Sequence, residues 1–154
     1  MDIHYDPASP TFLRWGSTAS QNVRGKPAGN KRKTGYVFVY QGDKALAAQN
    51  IIWELHNGPI PKGYCVDHID GDPSNNLLSN LRLATKAQNA ANKRMPKNSS
   101  GHKGVSWNSR RGEYSVRVTC NGKVHFGGWF KELEPAVEKV KSMRKELHGE
   151  FACD

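Results

Sequence analysis

Between residues 64 and 94 the chain sets a carboxylate, an imidazole and two amides at spacings that could do hydrolytic chemistry. Asp67 stands beside His68, Asn80 follows His68 by twelve residues, and Asn89 follows by nine more. Carboxylate and amide oxygens are hard donors that suit magnesium or manganese, and an imidazole with a reference pKa of about 6.5 can take a proton from water near neutral pH. Hydrolysis of a phosphodiester asks for both, a cation to neutralise developing charge and a base to activate water. Each residue also has a plainer use. An adjacent Asp and His commonly sit on a solvated surface, Asn75, Asn76 and Asn80 are turn formers, and Asn89 suits an exposed helix position. Only the joint spacing singles the four out. Asp70-Gly-Asp72 does not make a calcium loop, since the sixth position is Asn75 where Gly is needed and the twelfth is Leu81 where Glu is needed.

The elements that must position these residues are short. YCVDHI reads as a strand, DGDPSNNLLSN as a polar loop and LRLA as a second strand. A helix follows from Thr85, which with Gln88 makes a Thr-x-x-Gln capping box, and Pro96 forbids its continuation past Met95. Upstream, FLRW and GYVFVY read as strands separated by the turn-rich RGKPAGNKRKTG. Ala48, Ile51, Ile52 and Leu55 then fall at helical spacing until Gly58-Pro59 stops the pattern. MPKNSSGHKG reads as a linker. Beyond it GVSW, YSVRVTC and KVHF look like three strands, and Leu133, Ala136, Val137, Val140, Met143 and Leu147 form a helical stripe.

At 154 residues the chain holds one ordinary domain or two small ones. No run approaches the roughly 18 apolar residues of a membrane span, and the polar start MDIHYDPASP lacks a signal-peptide layout, so a cytoplasmic protein with no membrane association is expected. Cys65, Cys120 and Cys153 are odd in number and far apart, which indicates neither a disulfide framework nor a structural zinc site. The net charge of +9 points to a polyanionic partner. Its placement says more. Residues 97–130 hold six Lys/Arg against the single acid Glu113, whereas residues 131–154 hold five bases against six acids, so the excess lies on the predicted sheet.

The register of that sheet's second hairpin decides which side chains share a face. A two-residue Asn121-Gly122 turn mixes Lys123 and His125 with Val116 and Val118. A three-residue Cys120 to Gly122 loop instead groups Ser115, Arg117, Thr119, Lys123 and His125, leaving Val116, Val118, Val124 and Phe126 for the helix. The second is expected here.

Through VDHIDGDPSNNLLSNLRLATKAQNAAN the chain resembles the HNH nucleases with the ββα-metal fold, in the branch whose last His is replaced by Asn. The resemblance implies that Asp67 and Asn89 ligate one Mg2+ or Mn2+ ion, that His68 is the general base, and that Asn80 braces the loop and orients His68. Gln49 and Asn50 depart from the pattern, standing where such nucleases usually carry a His-Arg pair. From Gly104 onward the chain resembles the Apetala-type domain of plant ethylene-response factors, through GVSW, YSVRV, NGK and LHGEFA. That likeness implies a three-stranded sheet in the major groove, with Lys103, Ser106, Asn108, Arg117, Thr119, Lys123 and His125 towards DNA. Arg110 and Arg111, in the first turn, suit phosphate contact. Arg117 stands where plant members often carry an acid, and His125 where they carry tryptophan. Trp107, Trp129, Phe130 and Phe151 are expected in the core.

The expected architecture is α+β: a ββα-metal nuclease module with an N-terminal β layer in residues 1–95, a linker in 96–103, and a three-stranded antiparallel sheet packed on one helix in 104–154. The expected function is divalent-metal-dependent endonuclease action on double-stranded DNA, of phage or homing type, without a small-molecule cofactor. A monomer with one metal centre would nick a single strand. The rivals are a catalytically inactive DNA-binding regulator that retains the nuclease fold and a structure-specific or RNA-directed nuclease.

Overall fold

The computed structural model describes residues 1–92 and 98–152. The chain divides into two compact units, Met1–Lys86 and Ala87–Asp154. The break between them follows Lys86.

In the first unit, β1 (Ile3–Tyr5) pairs antiparallel with β2 (Leu13–Trp15). A second sheet has the order β3 (Asn30–Lys31), β4 (Val37–Gln41), β5 (Lys44–Ala47). Helix α1 (Ala48–Asn57) follows β5 directly, and Gly58 at φ 80 ends it. A third antiparallel pair joins β6 (Tyr64–His68) to β7 (Leu81–Thr85). None of these sheets could bury a face alone. They share one core: Ile3, Leu13, Val37, Val39, Ala48, Ile52, Val66 and Leu81 form a single buried cluster. Fully burying a Val, Ile or Leu side chain stabilises by about 1.5–3 kcal/mol, so the end of β6 is anchored at Val66. Leu55 departs from the expected helical stripe and is half exposed.

Gln49 is buried on α1, and its Oε1 has no hydrogen-bond partner among the described residues. An unmet buried acceptor costs about 1–3 kcal/mol. Gln49→Met keeps the shape and removes the acceptor, and we expect a thermal melt to show a gain of about 1 kcal/mol, which for a domain of this size is ~4–8 °C.

All of α2 (Lys86–Asn92) except its first residue falls in the second unit. It starts directly after Thr85, as the capping box predicts; the stop expected at Pro96 lies outside the described residues. Part of the predicted linker is tightly bonded: Asn98 Nδ2 donates to the carbonyls of His102 and Val105, both at 2.8 Å, and Ser100 Oγ donates to Val105 O at 2.7 Å. β8 (Val105–Asn108), β9 (Glu113–Cys120) and β10 (Lys123–Phe130) form an antiparallel sheet in the order β10-β9-β8. Helix α3 (Leu133–His148) packs its predicted stripe on it, with Val105, Val116, Val118, Ala136 and Val140 as the buried centre.

The expected register of the second hairpin is overturned. Lys123 pairs with Cys120 across a two-residue turn, with Asn121 at φ 51 and Gly122 at φ 75. A type I′ turn requires positive φ at both central residues, which Asn-Gly tolerates better than any other pair. Val124 then opposes Thr119, His125 opposes Val118 and Phe126 opposes Arg117. The alternation is reset by a bulge between Phe126 and Gly128. There Gly127 lies so close to α3 that a Cβ would sit 2.5 Å from Met143 Sδ. Beyond the bulge Gly128 opposes Val116, and Phe130 packs against the core.

Candidate functional site

Asp67 and His68 close β6, and both are buried, 5% exposed each. Neither would be so placed on a solvated surface. Asp67 lies directly across from Arg82 on β7, and Arg82 Nε donates to Asp67 Oδ2 at 3.1 Å. His68 Nε2 lies 3.1 Å from the side-chain oxygen of Asn76, which is completely buried, and the Tyr36 ring stands edge-on to the imidazole with centroids 6.2 Å apart.

The polar loop between β6 and β7 is knitted by its own side chains. Asn80 Nδ2 donates to Asp70 Oδ1 at 3.0 Å and to Asn75 O at 2.8 Å, while Asn80 Oδ1 accepts from Asp70 N at 3.2 Å. Asn75 Nδ2 donates to the other Asp70 oxygen at 2.8 Å, and Ser74 donates through both its amide and its hydroxyl to Asp72 Oδ1 at 2.9 Å. Burial pushes the Asp70 carboxyl upward, but donors from Asp72, Asn75 and Asn80 outweigh it and hold the group below its ordinary value of 3.8. A depressed carboxyl stabilises the fold fully above that ordinary value and loses the contribution as pH falls through the folded value. We expect Asp70→Asn to melt earlier than wild type at neutral pH, with the gap closing as pH falls below the ordinary carboxylate value. A gap that stays constant across that range would mean the carboxylate does not hold the loop.

Asn80 thus lies on the loop, while the residue at the imidazole is Asn76, which sequence reasoning counted only as a turn former. Its neighbour in the doublet, Asn75, does take that ordinary part. Asn76 Nδ2 has no partner among the described residues, so this buried amide is committed to the site at a cost to the fold. Asn89 lies on α2, in the other compact unit. Among the described residues no group of three or more His, Cys, Asp or Glu side chains is arranged as a metal cluster.

Of the groups expected towards DNA, the observed register keeps Ser106, Arg117 and Thr119 on one face of the β8–β10 sheet, together with Ser115, and sets Val124 and Phe126 beside them, 64% and 52% exposed. Lys123 and His125 are not on that face. His125 lines a cavity with Met143 and Leu147 of α3, and Lys123 opposes Cys120 at the hairpin end. Lys103 Nζ donates to Ala91 O at 2.6 Å. Asn108 Oδ1 accepts from Arg111 N at 3.1 Å, and Arg111 pairs with Glu113 at 3.2 Å and lies over the Trp129 ring. Arg110 is exposed. Trp107 is 45% exposed against Tyr114, not buried as expected, whereas Trp129 and Phe151 are half-buried.

The strand-end Asp-His pair and its amide-rich loop fall within residues 46–91, which match the family model described as HNH endonuclease. Residues 46–91 thus form an HNH endonuclease domain, and the chain is an endonuclease, a hydrolase. Protein 3.8 of Escherichia phage T7 is 48% identical over 102 residues, which cover 66% of this chain and 84% of that protein. An uncharacterized HNH endonuclease of Acanthamoeba polyphaga mimivirus is 38% identical over 121 residues, which cover 79% of this chain and 63% of that protein. No solved structure matches significantly. No helix among the described residues is long and apolar enough to cross a membrane.

Proposed function

We propose that the protein is a divalent-metal-dependent endonuclease that nicks one strand of double-stranded DNA, with His68 as general base and the outer face of the β8–β10 sheet as its groove-reading surface. The observation that carries this reading is the buried His68, held through Nε2 by Asn76 beside the buried Asp67. With the Asn76 oxygen as acceptor, the ring carries its proton on Nε2, and Nδ1 is the basic nitrogen that takes a proton from water. Asn80 acts as a brace, fixing the loop through Asp70 and Asn75.

The donor chemistry fits a hard cation. Asp67, a buried carboxylate, and Asn89, an amide, would be the residues to hold the ion, and their oxygens are of the types that suit Mg2+ or Mn2+. When bound, the ion neutralises charge developing on the phosphate. No other cofactor is invoked. The second unit resembles an Apetala-type domain in having a three-stranded antiparallel sheet on one helix, and its excess of bases favours a duplex partner.

One observation favours the other reading, a silent DNA-binding regulator: the Arg82 guanidinium already engages the carboxylate assigned to the metal. Supercoiled plasmid incubated with magnesium, manganese or chelator decides between them. Nicked circles with metal and none with chelator support the enzyme acting as proposed. Binding without nicking in either metal supports the regulator, and nicking that survives chelation removes the metal assignment.

A further inference from the structure

The bases weighed above lie in residues 97–130, yet the first unit carries a basic segment of its own. Residues 24–33 hold Arg24, Lys26, Lys31, Arg32 and Lys33 with no acid among them, and all five are exposed. The last three flank the β3–β4 turn, which packs on the loop that carries Asn76. Gly35, at φ +91, comes so close to it that a Cβ would lie 2.9 Å from Pro73 Cγ. Lys31 is near enough to contribute to the lowered Asp72 carboxyl, after the larger effect of the Ser74 donors. Tyr36, the next residue after the glycine, is exposed and presents its ring to His68.

We infer that the β3–β4 hairpin is a second DNA contact, a clamp on the phosphates flanking the one that His68 faces. This rests on the nuclease reading above and extends it to the substrate. Arg32 is pre-positioned for the task. Its Nη2 donates to Tyr40 Oη at 2.8 Å and its guanidinium lies 4.6 Å over the Phe38 ring, so the side chain is laid along the sheet and gives up less rotamer freedom on meeting a phosphate. Lys31 and Lys33 flank it as exposed point charges with flexible stems. A strand whose phosphate reaches His68 past Tyr36 runs over this turn, and a free positive segment there holds it at the nucleophile. The clamp contacts backbone, so it contributes grip and alignment and no sequence preference.

The test is Lys31→Gln with Lys33→Gln in the full-length chain, Arg32 being left because it packs on Phe38. A melt matching wild type confirms that the exposed changes leave the fold intact. Binding to a random-sequence duplex is measured across a salt series in the His68→Ala background, where the strand stays uncut. Each phosphate contact contributes about 0.9 to the slope of log K against log salt, so the slope should fall by about 1.8 units. With His68 present, KM should rise and kcat hold. Methylphosphonates placed beside the mapped nick should weaken the parent protein more than the double variant, which keeps only Arg32 of the clamp. An unchanged slope, or equal methylphosphonate sensitivity in both proteins, overturns the clamp. A wild type that binds but never nicks overturns the nuclease reading instead, and the slopes still decide the hairpin.

Discussion

His68→Ala should abolish nicking while the duplex remains bound. A positioned general base contributes about 10²–10⁴ in rate and acts on the water, with little share in ground-state affinity. The expected result is a loss of kcat of that size with Kd within about twofold of wild type. Wild-type nicking by the variant would end the mechanism. Asn76→Ala provides the finer measurement, because Asn76 is argued to act through the imidazole that its oxygen touches at 3.1 Å. Loss of such an orienting partner typically costs about 10- to 100-fold, and here it should fall on kcat and move the pH profile, since the ring is no longer held in one tautomer. A drop in stability with an unmoved pH profile would make Asn76 only a packing residue.

Arg117 and Arg110 should fail in different ways. Arg117 lies at the centre of the outer face of the β8–β10 sheet, opposite Phe126, whereas Arg110 projects from the turn between β8 and β9. Arg117→Ala should cost about 1–3 kcal/mol on the preferred duplex and almost nothing on scrambled DNA, because base contacts discriminate. Arg110→Ala should weaken all sequences alike and flatten the salt dependence by about one unit. Equal discrimination by Arg117→Ala and wild type would remove this sheet as a reading surface. Point variants are preferable to cutting the chain at residue 104. Lys103 caps Ala91 of α2, and α2 carries Asn89 within the compact unit that such a cut would divide.

Much of the first unit was legible because its signals are local. Alternation marked β6 and β7, Gly58 marked the end of α1, and the spacing of Asp67, His68 and Asn80 fixed their places on strand and loop. Asn76 was not legible, because asparagine in a polar loop announces a turn whether it caps the backbone or holds a catalytic ring. The second hairpin misled for a physical reason. Grouping apolar residues under the helix is sound when strands are regular, but the Gly127 bulge lets Val116 and Phe130 both face α3 without Val124 and Phe126 doing so. The division after Lys86 depends on packing between distant segments, which leaves no mark on the helix's own sequence.

Val124 and Phe126 on β10 have a consequence for how the free protein behaves in solution. β10 is an outer strand of its sheet, with no strand among the described residues pairing its far side, and it leaves two large apolar groups open to water. Such an edge is a template for a second copy, and charge is what natural proteins use to blunt it. The surrounding bases therefore have a colloidal duty as well as an electrostatic one: they keep molecules apart until a polyanion neutralises them and covers the strand. Stock solutions should tolerate low salt better than high salt, the reverse of ordinary practice for a basic DNA-binding protein, and added duplex should disperse what concentrated salt brings together.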